Sequence, residues 1–310
     1  MSDNRNAIEK IKEIVDKSRV FENEPMAAHT SFRIGGPADA LVAVENEAEL
    51  AGVLKVVTEL ATEHILVGNG SNFLVADEGY PGIMIKLGGE FDAVRLDEND
   101  ETSVIAGGAK LLSSVSAFVT DRGLAGFEFA SGIPGSIGGA MFMNAGAYGG
   151  EMKDIVKSVR LMKPDGSAVF ERTNEEMKFA YRHSSIQEDE SIVLSVVFQL
   201  TKDNKSEIAA RVAELQQKRN SKQPVNYPSA GSTFKRPVGG YAAALIDEAG
   251  LRGTSVGGAQ VSDKHAGFVI NTGGATAKDV LELMRLVRKT VYEKNGIMLE
   301  PEVRLINCSL

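Results

Sequence analysis

The sequence contains a single cysteine, Cys308, among its 310 residues. One cysteine cannot form an intramolecular disulfide, and such low cysteine usage is typical of proteins from reducing compartments. No apolar run approaches the roughly 20 residues that a membrane-spanning helix requires. Residues 1–14 (MSDNRNAIEKIKEI) are charged and lack the apolar core of a signal peptide. We therefore expect a soluble, cytoplasmic protein that makes no contact with a membrane.

Several common catalytic motifs are absent as well. The four histidines, His29, His64, His183 and His265, do not have the spacing of metal ligands, and one cysteine provides no thiolate cluster. The G-x-S-x-G motif of α/β-hydrolases and the G-x-x-x-x-G-K-S/T motif of P-loop NTPases are also missing. The sequence therefore predicts no metal site and excludes these two enzyme classes.

Long basic runs are missing too. The chain has 34 Lys and Arg against 42 Asp and Glu, a formal net charge of −8. An acidic chain without a basic patch repels nucleic acid, so we expect no nucleic-acid partner. Hydrophobic residues make up 43% and charged residues 25%, which is typical of globular domains, and the length leaves room for two or three of them.

Hydrophobic periodicity divides the chain into three blocks. A strand over 40–44, a helix over 47–62 and a strand over 64–68 characterise the first block, residues 1–86. Residues 87–202 are rich in strands, with a strong one over 192–200. Residues 203–300 carry three helical patterns and a strand, and the final segment, 301–310, contains a strand that we assign to the first block. The pattern predicts an α+β protein.

Seven of the 32 glycines lie within residues 131–150 (SGIPGSIGGAMFMNAGAYGG). Interior glycine costs about 0.5–1 kcal/mol relative to alanine, so we expect neither an ordinary helix nor an ordinary strand here. A flexible linker would be polar, whereas this stretch contains Ile133, Ile137, Met141 and Phe142. The interleaving favours packed loops whose backbone closely approaches a ligand.

A second glycine-containing loop, residues 68–73 (GNGSNF), begins like the G-x-G-x-x-G motif of dinucleotide-binding proteins. Phe73 stands where the third glycine belongs, and a strand-like segment follows where the motif requires a helix. We therefore reject a Rossmann fold. The loop remains open to two interpretations, an ordinary turn or a backbone nest for an anion.

Three further segments carry polar residues of types that take part in catalysis. Arg182 lies in FAYRHSSIQ (179–187), Ser232 in SAGSTFKRP (229–237), and Glu302 in LEPEVRLI (299–306). Taken singly, each has an ordinary structural interpretation. Arg182 fits a solvated arginine, Ser232 fits a serine in a turn, and Glu302 fits a surface pair with Arg304 on a strand.

Taken together, seven ordered segments resemble those of the UDP-N-acetylenolpyruvoylglucosamine reductases, flavoenzymes that complete UDP-N-acetylmuramate in peptidoglycan synthesis. The resemblance covers nearly the whole chain. The segments are HTSFRIGGPAD (29–39), VGNGSNFLV (67–75), GFEFASGIPGSIGGAMFMNAGAYGGEM (126–152), YRHSS (181–185), PSAGSTFKRP (228–237), LIDEAGLRG (245–253) and LEPEVRLI (299–306).

The resemblance implies a non-Rossmann FAD-binding fold of two α+β subdomains, residues 1–86 with 301–310 and residues 87–202, plus a third α+β substrate-binding domain over 203–300. It implies non-covalent FAD as cofactor and NADPH as co-substrate. The FAD-binding residues that it implies are Val67, Gly68, Asn69, Gly70, Ser71, Asn72, Ser131, Gly132, Ile133, Pro134, Gly135, Ser136, Gly138, Gly146 and Arg304.

The same resemblance assigns three catalytic roles. Arg182 stabilises negative charge on the substrate, Ser232 protonates C2 of the enolpyruvyl group, and Glu302, when protonated, polarises its carboxylate. Arg219, Lys222 and Arg236 are the candidates for binding the nucleotide-sugar, the partner that the family implies together with NADPH. We expect a monomer.

The sequence departs from the family at two places. His29 replaces the usual Asn, and the segment between Arg182 and Ser232 is too short for the tyrosine-bearing loop of one subclass. We therefore assign the chain to the subclass that lacks this loop. Two alternatives remain, a flavin-dependent oxidase of the same fold and a non-catalytic FAD- or nucleotide-binding module. No histidine lies in the glycine-rich stretches to tether the flavin, which argues against many oxidases.

Overall fold

The computed structural model describes residues 4–310, and within them the helices follow the predicted periodicity closely. They are α1 (Arg5–Ile11), α2 (Glu47–Glu59), α3 (Leu112–Asp121), α4 (Ile137–Phe142), α5 (Ile186–Asp189), α6 (Lys205–Lys222), α7 (Ala242–Glu248) and α8 (Ala277–Asn295).

The strands of residues 4–310 are mostly short. They are β1 (Val20–Pro25), β2 (Pro37–Val44), β3 (His64–Val67), β4 (Phe73–Val75), β5 (Tyr80–Leu87), β6 (Val94–Leu96), β7 (Ser103–Gly107), β8 (Leu124–Ala125), β9 (Gly146–Ala147), β10 (Gly150–Glu151), β11 (Val156–Met162), β12 (Val169–Thr173), β13 (Ile192–Gln199), β14 (Thr201–Lys202), β15 (Ser255–Val256), β16 (Ala259–Val261), β17 (Val269–Asn271) and β18 (Arg304–Ile306).

These strands form one four-stranded sheet (order β1-β2-β5-β3), one five-stranded sheet (β12-β11-β13-β7-β6), one three-stranded sheet (β15-β16-β17) and the pairs β9–β10, β8–β14 and β4–β18. The five-stranded sheet is antiparallel throughout. β3 pairs with β5 in parallel, and so does β4 with β18. Antiparallel sheets and parallel strand pairs beside helices confirm the predicted α+β class.

The chain clusters into two compact units. Among the described residues, the first unit contains 4–21, 40–69 and 82–218, and the second contains 22–39, 70–81 and 219–310. The three-domain division given by the sequence follows other boundaries, and it stays a prediction.

The first unit has two hydrophobic cores. In one, α2 buries Leu50, Val53, Leu54 and Val57 on a single face, as the helical spacing predicts. Asn46 caps this helix, because its Oδ1 accepts from the backbone N–H of Glu49 at 2.9 Å. The other core lies beside the five-stranded sheet. There the rings of Phe127 and Phe198 pack edge to face, 5.2 Å apart.

The second unit is built around α8. Seven residues at helical spacing are buried on one face of this helix: Ala277, Val280, Leu281, Leu283, Met284, Val287 and Val291. Thr276 and Asp279 form a capping box at its start, and Gly296 ends it with a φ of +69°. The N–H of Thr276 donates to Asp279, which holds the pKa of that carboxyl below its usual range.

The glycine-rich stretch contains a short helix, α4, so the expectation that no helix forms there is wrong. Ser136 starts the helix, since its Oγ accepts from the N–H of Gly139 at 3.4 Å. The N–H of Gly138 donates to the carbonyl of Gly108 at 2.7 Å. A Cβ on Gly138 would lie 3.1 Å from that oxygen, so close packing against the neighbouring backbone favours glycine within a helix here.

The loop after β3 is followed by strand β4, Phe73–Val75, and not by a helix. The rejection of a Rossmann motif at this loop is therefore confirmed.

Asp77 links two segments of the second unit that are 200 residues apart in sequence. Its carboxylate oxygens accept from the N–H groups of Ala277 at 2.7 Å and Lys278 at 2.9 Å, the first two residues of α8. Both N–H groups lack partners inside the helix, and a negative charge at a helix N-terminus is favourable.

Asp77→Ala should therefore lower the free energy of unfolding by about 1 kcal/mol, measured by urea denaturation. Glu78→Ala, at the adjacent exposed acid, is the control, and an equal loss in both variants would contradict the capping role.

Candidate active site

In the first unit, the structure brings the two glycine-containing segments together. Val67 is the buried last residue of β3, and Asn69 two residues later donates from Nδ2 to the carbonyl of Pro134 at 2.7 Å. A Cβ on Gly68 would overlap the hydroxyl of Ser136. The backbone of residues 67–69 therefore lies directly against residues 134–136, which is the bare surface expected of a cradle for a flat ligand.

Other residues predicted in this stretch hold its shape. The carbonyl of Gly135 accepts from the N–H of Leu112 at 3.0 Å. Gly146 belongs to the β9–β10 hairpin, where a Cβ would lie 2.8 Å from the carbonyl oxygen of Gly150. Ile133 packs against the core beside the five-stranded sheet. The glycines thus allow close backbone contacts that a side chain would block.

Ser131 has a buried hydroxyl without a hydrogen-bond partner among the described residues. A buried, unsatisfied polar group costs free energy, and its presence in a native structure calls for a missing partner. A polar atom of a bound cofactor can supply that partner. Together with the bare backbone around Gly68, this hydroxyl makes residues 67–69 and 131–138 a fit for a large cofactor.

Arg182 lies at the tip of a tight turn in the first unit. Ala180 and His183 exchange both backbone hydrogen bonds, each 3.1 Å long, so Tyr181 and Arg182 form the two-residue loop. Arg182 has a φ of +55°, in the left-handed region that non-glycine residues rarely adopt. Its guanidinium carbon lies 5.0 Å from the centre of the Tyr181 ring.

In the second unit, Ser232 and Glu302 lie on adjacent backbone segments. The N–H of Glu302 donates to the carbonyl of Thr233, and the N–H of Lys235 donates to that of Glu300, both at 2.9 Å. An antiparallel bridge joins Phe234 to Pro301 between them. Thr233 is buried, and its Oγ1 accepts from the N–H of Val269 at 2.9 Å. This short ladder anchors two residues that are 70 positions apart in sequence.

The second unit also contains residues 70–73, the end of the loop GNGSNF (68–73). Gly70 has a φ of +60°, and its carbonyl accepts from the N–H of Ser31 at 3.1 Å. Asn72 donates from Nδ2 to the carbonyl of Glu302 at 3.1 Å and accepts from the N–H of Arg304 at 2.8 Å. Residues 70–72 are therefore held next to the strand that carries Glu302 and Arg304. The guanidinium carbon of Arg304 lies 5.3 Å from the centre of the Phe73 ring.

Comparisons with known proteins point to one family along nearly the whole chain. Residues 38–170 match the family described as FAD binding domain, and residues 223–306 match the C-terminal domain of UDP-N-acetylenolpyruvoylglucosamine reductase. Among curated proteins, the UDP-N-acetylenolpyruvoylglucosamine reductase of Clostridioides difficile is 49% identical over 94% of this chain and 95% of its own length. That of Lachnoclostridium phytofermentans is 48% identical over 96% of each chain.

The chain belongs to the UDP-N-acetylenolpyruvoylglucosamine reductase family. A solved structure from Thermus caldophilus, a UDP-N-acetylenolpyruvylglucosamine reductase, matches with a TM-score of 0.79 and 38% identity, over 91% of this chain and 97% of its own. The predicted family, the non-Rossmann FAD-binding fold and the assignment as an FAD-containing oxidoreductase are confirmed.

The basic residues that we assign to the nucleotide-sugar in this family member lie in the second unit. Lys222 is the exposed last residue of α6, and Arg219 is almost one turn before it. Arg236 follows Lys235 on the segment that carries Ser232, and its guanidinium carbon lies 4.3 Å from the centre of the Tyr241 ring. The roles of these three residues stay predictions.

Sequence reasoning missed two amide side chains that contact the Arg182 turn. Asn144 donates from Nδ2 to the carbonyl of Ala180 at 3.0 Å, and Gln187 donates from Nε2 to the carbonyl of Arg182 at 3.1 Å. Asn144 is buried and has a φ of +41°. Its place inside the glycine-rich stretch was the only available signal, and none pointed to Gln187.

Among residues 4–310, no group of three or more His, Cys, Asp or Glu residues is arranged to hold a metal ion. None of the helices in this part is long and apolar enough to span a membrane.

Proposed function

We propose that Arg182, Ser232 and Glu302 carry out the family's reaction in this chain, the NADPH-dependent reduction of UDP-N-acetylglucosamine enolpyruvate to UDP-N-acetylmuramate through FAD. This reaction belongs to the synthesis of peptidoglycan precursors. The main supporting observation is the backbone ladder of residues 233–235 with 300–302, which places Ser232 and Glu302 on neighbouring segments.

Ser232 supplies the proton in this proposal. FAD, when bound, supplies the hydride chemistry that carries the two electrons of NADPH to C3 of the enolpyruvyl double bond. Negative charge then develops at C2, and the Ser232 hydroxyl donates its proton there. A serine hydroxyl is a weak acid, but a carbanion is a far stronger base than the serine alkoxide that remains. That alkoxide regains a proton from solvent before the next turnover.

Arg182 and Glu302 act on the carboxylate next to C2, over which the developing charge spreads. A guanidinium forms charge-assisted hydrogen bonds to a carboxylate, and these strengthen as the negative charge grows. Glu302 in its protonated form donates a further hydrogen bond to the same group. Both residues therefore favour the transition state over the bound substrate.

We assign FAD binding to the two backbone segments around Gly68 and Gly70, residues 67–72, and to the glycine-rich stretch. In that stretch Ser131, Gly132, Ile133, Pro134, Gly135, Ser136, Gly138 and Gly146 are the binding residues, and Arg304 completes the set. No histidine or cysteine occurs in these segments, so the cofactor is bound without a covalent link.

Acid precipitation of the yellow protein tests this assignment. Because a non-covalent flavin is released from denatured protein, the yellow colour should stay in the supernatant.

The decisive experiment measures NADPH oxidation by the purified holoenzyme with and without the enolpyruvyl substrate. We expect steady NADPH consumption that depends on this substrate and yields UDP-N-acetylmuramate in equal amount. Consumption that depends only on oxygen would instead indicate an oxidase, and no consumption at all would indicate a binding module.

Lys222 and Arg236 are proposed to bind the substrate diphosphate, with Arg219 as a further candidate. Lys222→Ala and Arg236→Ala should each raise KM for the nucleotide-sugar more than they lower kcat, because a diphosphate contact is equally strong in the ground state and the transition state. Steady-state kinetics measures both constants. Lys289→Ala, at an exposed lysine of α8, is the matched control. A sharp loss of kcat with an unchanged KM would show that the changed residue has another role.

We further propose that the enzyme works as a monomer in the cytoplasm, where UDP-sugars and NADPH are available. Light scattering of the holoenzyme should give the mass of one 33.1 kDa chain. A dimer mass at working concentration, or activity recovered in the membrane fraction, would contradict this proposal.

A further inference from the structure

The turn that carries Arg182 is strained. Its φ of +55° is unfavourable for any residue with a Cβ, and glycine would adopt it at lower free energy. Such conformations persist where the surrounding structure enforces them, and they are concentrated at functional sites. The structure around Arg182 must therefore hold its backbone in this conformation.

Gln187 is the side chain that holds the carbonyl of Arg182. Its Nε2 donates two hydrogen bonds, one to Arg182 O at 3.1 Å and one to Phe142 O at 2.6 Å. Phe142 is the last residue of α4, inside the glycine-rich stretch. One amide group therefore connects the strained turn to the segment that we assign to FAD binding. Asn144 contacts the same turn, because its Nδ2 donates to the carbonyl of Ala180.

We propose that Gln187 is a positioning residue, which fixes the Arg182 turn so that the guanidinium is held in place for the substrate carboxylate before binding. The proposal rests on the catalytic role of Arg182 given under the proposed function. Misplacement of a charge-stabilising group by about 1 Å can cost as much as 10²-fold in rate.

A purely structural role must be separated from this one. Gln187 also donates to the carbonyl of Phe142, the last residue of α4, so this amide makes a capping contact with the helix as well. Ser184 provides the matched control, because its Oγ donates to the same Phe142 carbonyl at 3.0 Å and not to Arg182. If capping of α4 is the whole role of Gln187, then Ser184→Ala should have the same effects as loss of the Gln187 amide.

Three substitutions with side chains of nearly equal length test whether the N–H donor of Gln187 is needed. Gln187→Met removes it, Gln187→Glu replaces it with an acceptor that faces two carbonyl oxygens, and Gln187→Lys keeps an N–H donor. We expect kcat to fall about tenfold or more in Gln187→Met and further in Gln187→Glu, with recovery in Gln187→Lys and little change in KM for NADPH. An unchanged kcat in Gln187→Met, or an equal loss in Ser184→Ala, would overturn the proposal.

Hydrogen exchange gives a readout that does not depend on activity. The N–H groups of Ala180 and His183 close the turn, and opening of the turn exposes them to solvent. We expect faster exchange at both amides in Gln187→Met than in the wild type and in Ser184→Ala, whether or not FAD is bound. Unchanged exchange at these amides would show that Gln187 does not hold the turn.

A double-mutant cycle distinguishes failure of this proposal from failure of the proposed function. If Arg182→Ala leaves kcat intact, the catalytic role of Arg182 is wrong. If Arg182→Ala lowers kcat and Gln187→Met does so only in the presence of Arg182, positioning is supported. If Gln187→Met costs the same factor in both backgrounds, Gln187 acts independently of Arg182, and only the positioning role is wrong.

Discussion

Ser232→Ala is expected to slow the half-reaction with the enolpyruvyl substrate by about 10²–10⁴-fold, the usual contribution of a positioned general acid. The half-reaction with NADPH requires no proton at carbon and should proceed at nearly the wild-type rate. Stopped-flow absorbance of the flavin follows the two half-reactions separately. A selective loss of rate in the half-reaction with the enolpyruvyl substrate would identify Ser232 as the proton donor to C2.

Two further variants support this test. Ser232→Cys should recover part of the lost rate, because a thiol also donates a proton. Ser229→Ala, at another serine of the same segment, should leave both half-reactions unchanged, since its contact with Ser31 is made by the backbone carbonyl. If Ser232→Ala instead slows both half-reactions equally, the serine shapes the cofactor pocket. Glu302 would then be the next candidate for the acid.

Local patterns in the sequence predicted much of the fold. Residue spacing predicted a helix over 47–62, and the structure buries one face of α2 at that spacing. The missing third glycine at Phe73 was enough to reject a Rossmann motif. In these places the local preference of the chain and its tertiary structure agree, which is why the prediction succeeds.

The glycine-rich stretch shows where local reasoning fails. Glycine propensity argues against helix α4, yet the close approach of Gly138 to the backbone of Gly108 outweighs that preference. The contact joins segments 30 residues apart, and no residue spacing within the stretch encodes it. The same limit applies to Asp77, which caps a helix 200 residues later.

The candidate site was predictable as a set of residues but not as an arrangement. The resemblance named Arg182, Ser232 and Glu302, while the ladder that joins Thr233 to Glu302 became visible only in the structure. The left-handed φ of Arg182 and the amide of Gln187 that holds its carbonyl are also long-range features. Side-chain amides satisfy backbone groups wherever the fold brings them, so their role cannot be read from the sequence.

Gly70→Val is expected to weaken FAD binding by about 10²-fold, equivalent to about 3 kcal/mol. Two effects add. The φ of +60° is unfavourable for a β-branched residue, and the new Cβ would overlap the carbonyl oxygen of His29 and lie 2.9 Å from the Cα of Thr30. The loop of residues 68–72 must therefore shift away from the position that we assign to cofactor binding. Fluorescence titration of the apoprotein with FAD measures the affinity.

A matched control separates the loop from a general loss of stability. Gly274 lies in the same unit and has a similar φ of +68°, but a Cβ there would meet nothing within 4 Å. Gly274→Val therefore introduces similar backbone strain without a steric clash of the new Cβ with neighbouring atoms. Gly274 is also not among the residues that we assign to FAD binding. It should retain the cofactor while it lowers stability. If Gly70→Val binds FAD as tightly as the wild type, or if Gly274→Val loses FAD to the same extent, the backbone at Gly70 is not part of the cofactor site.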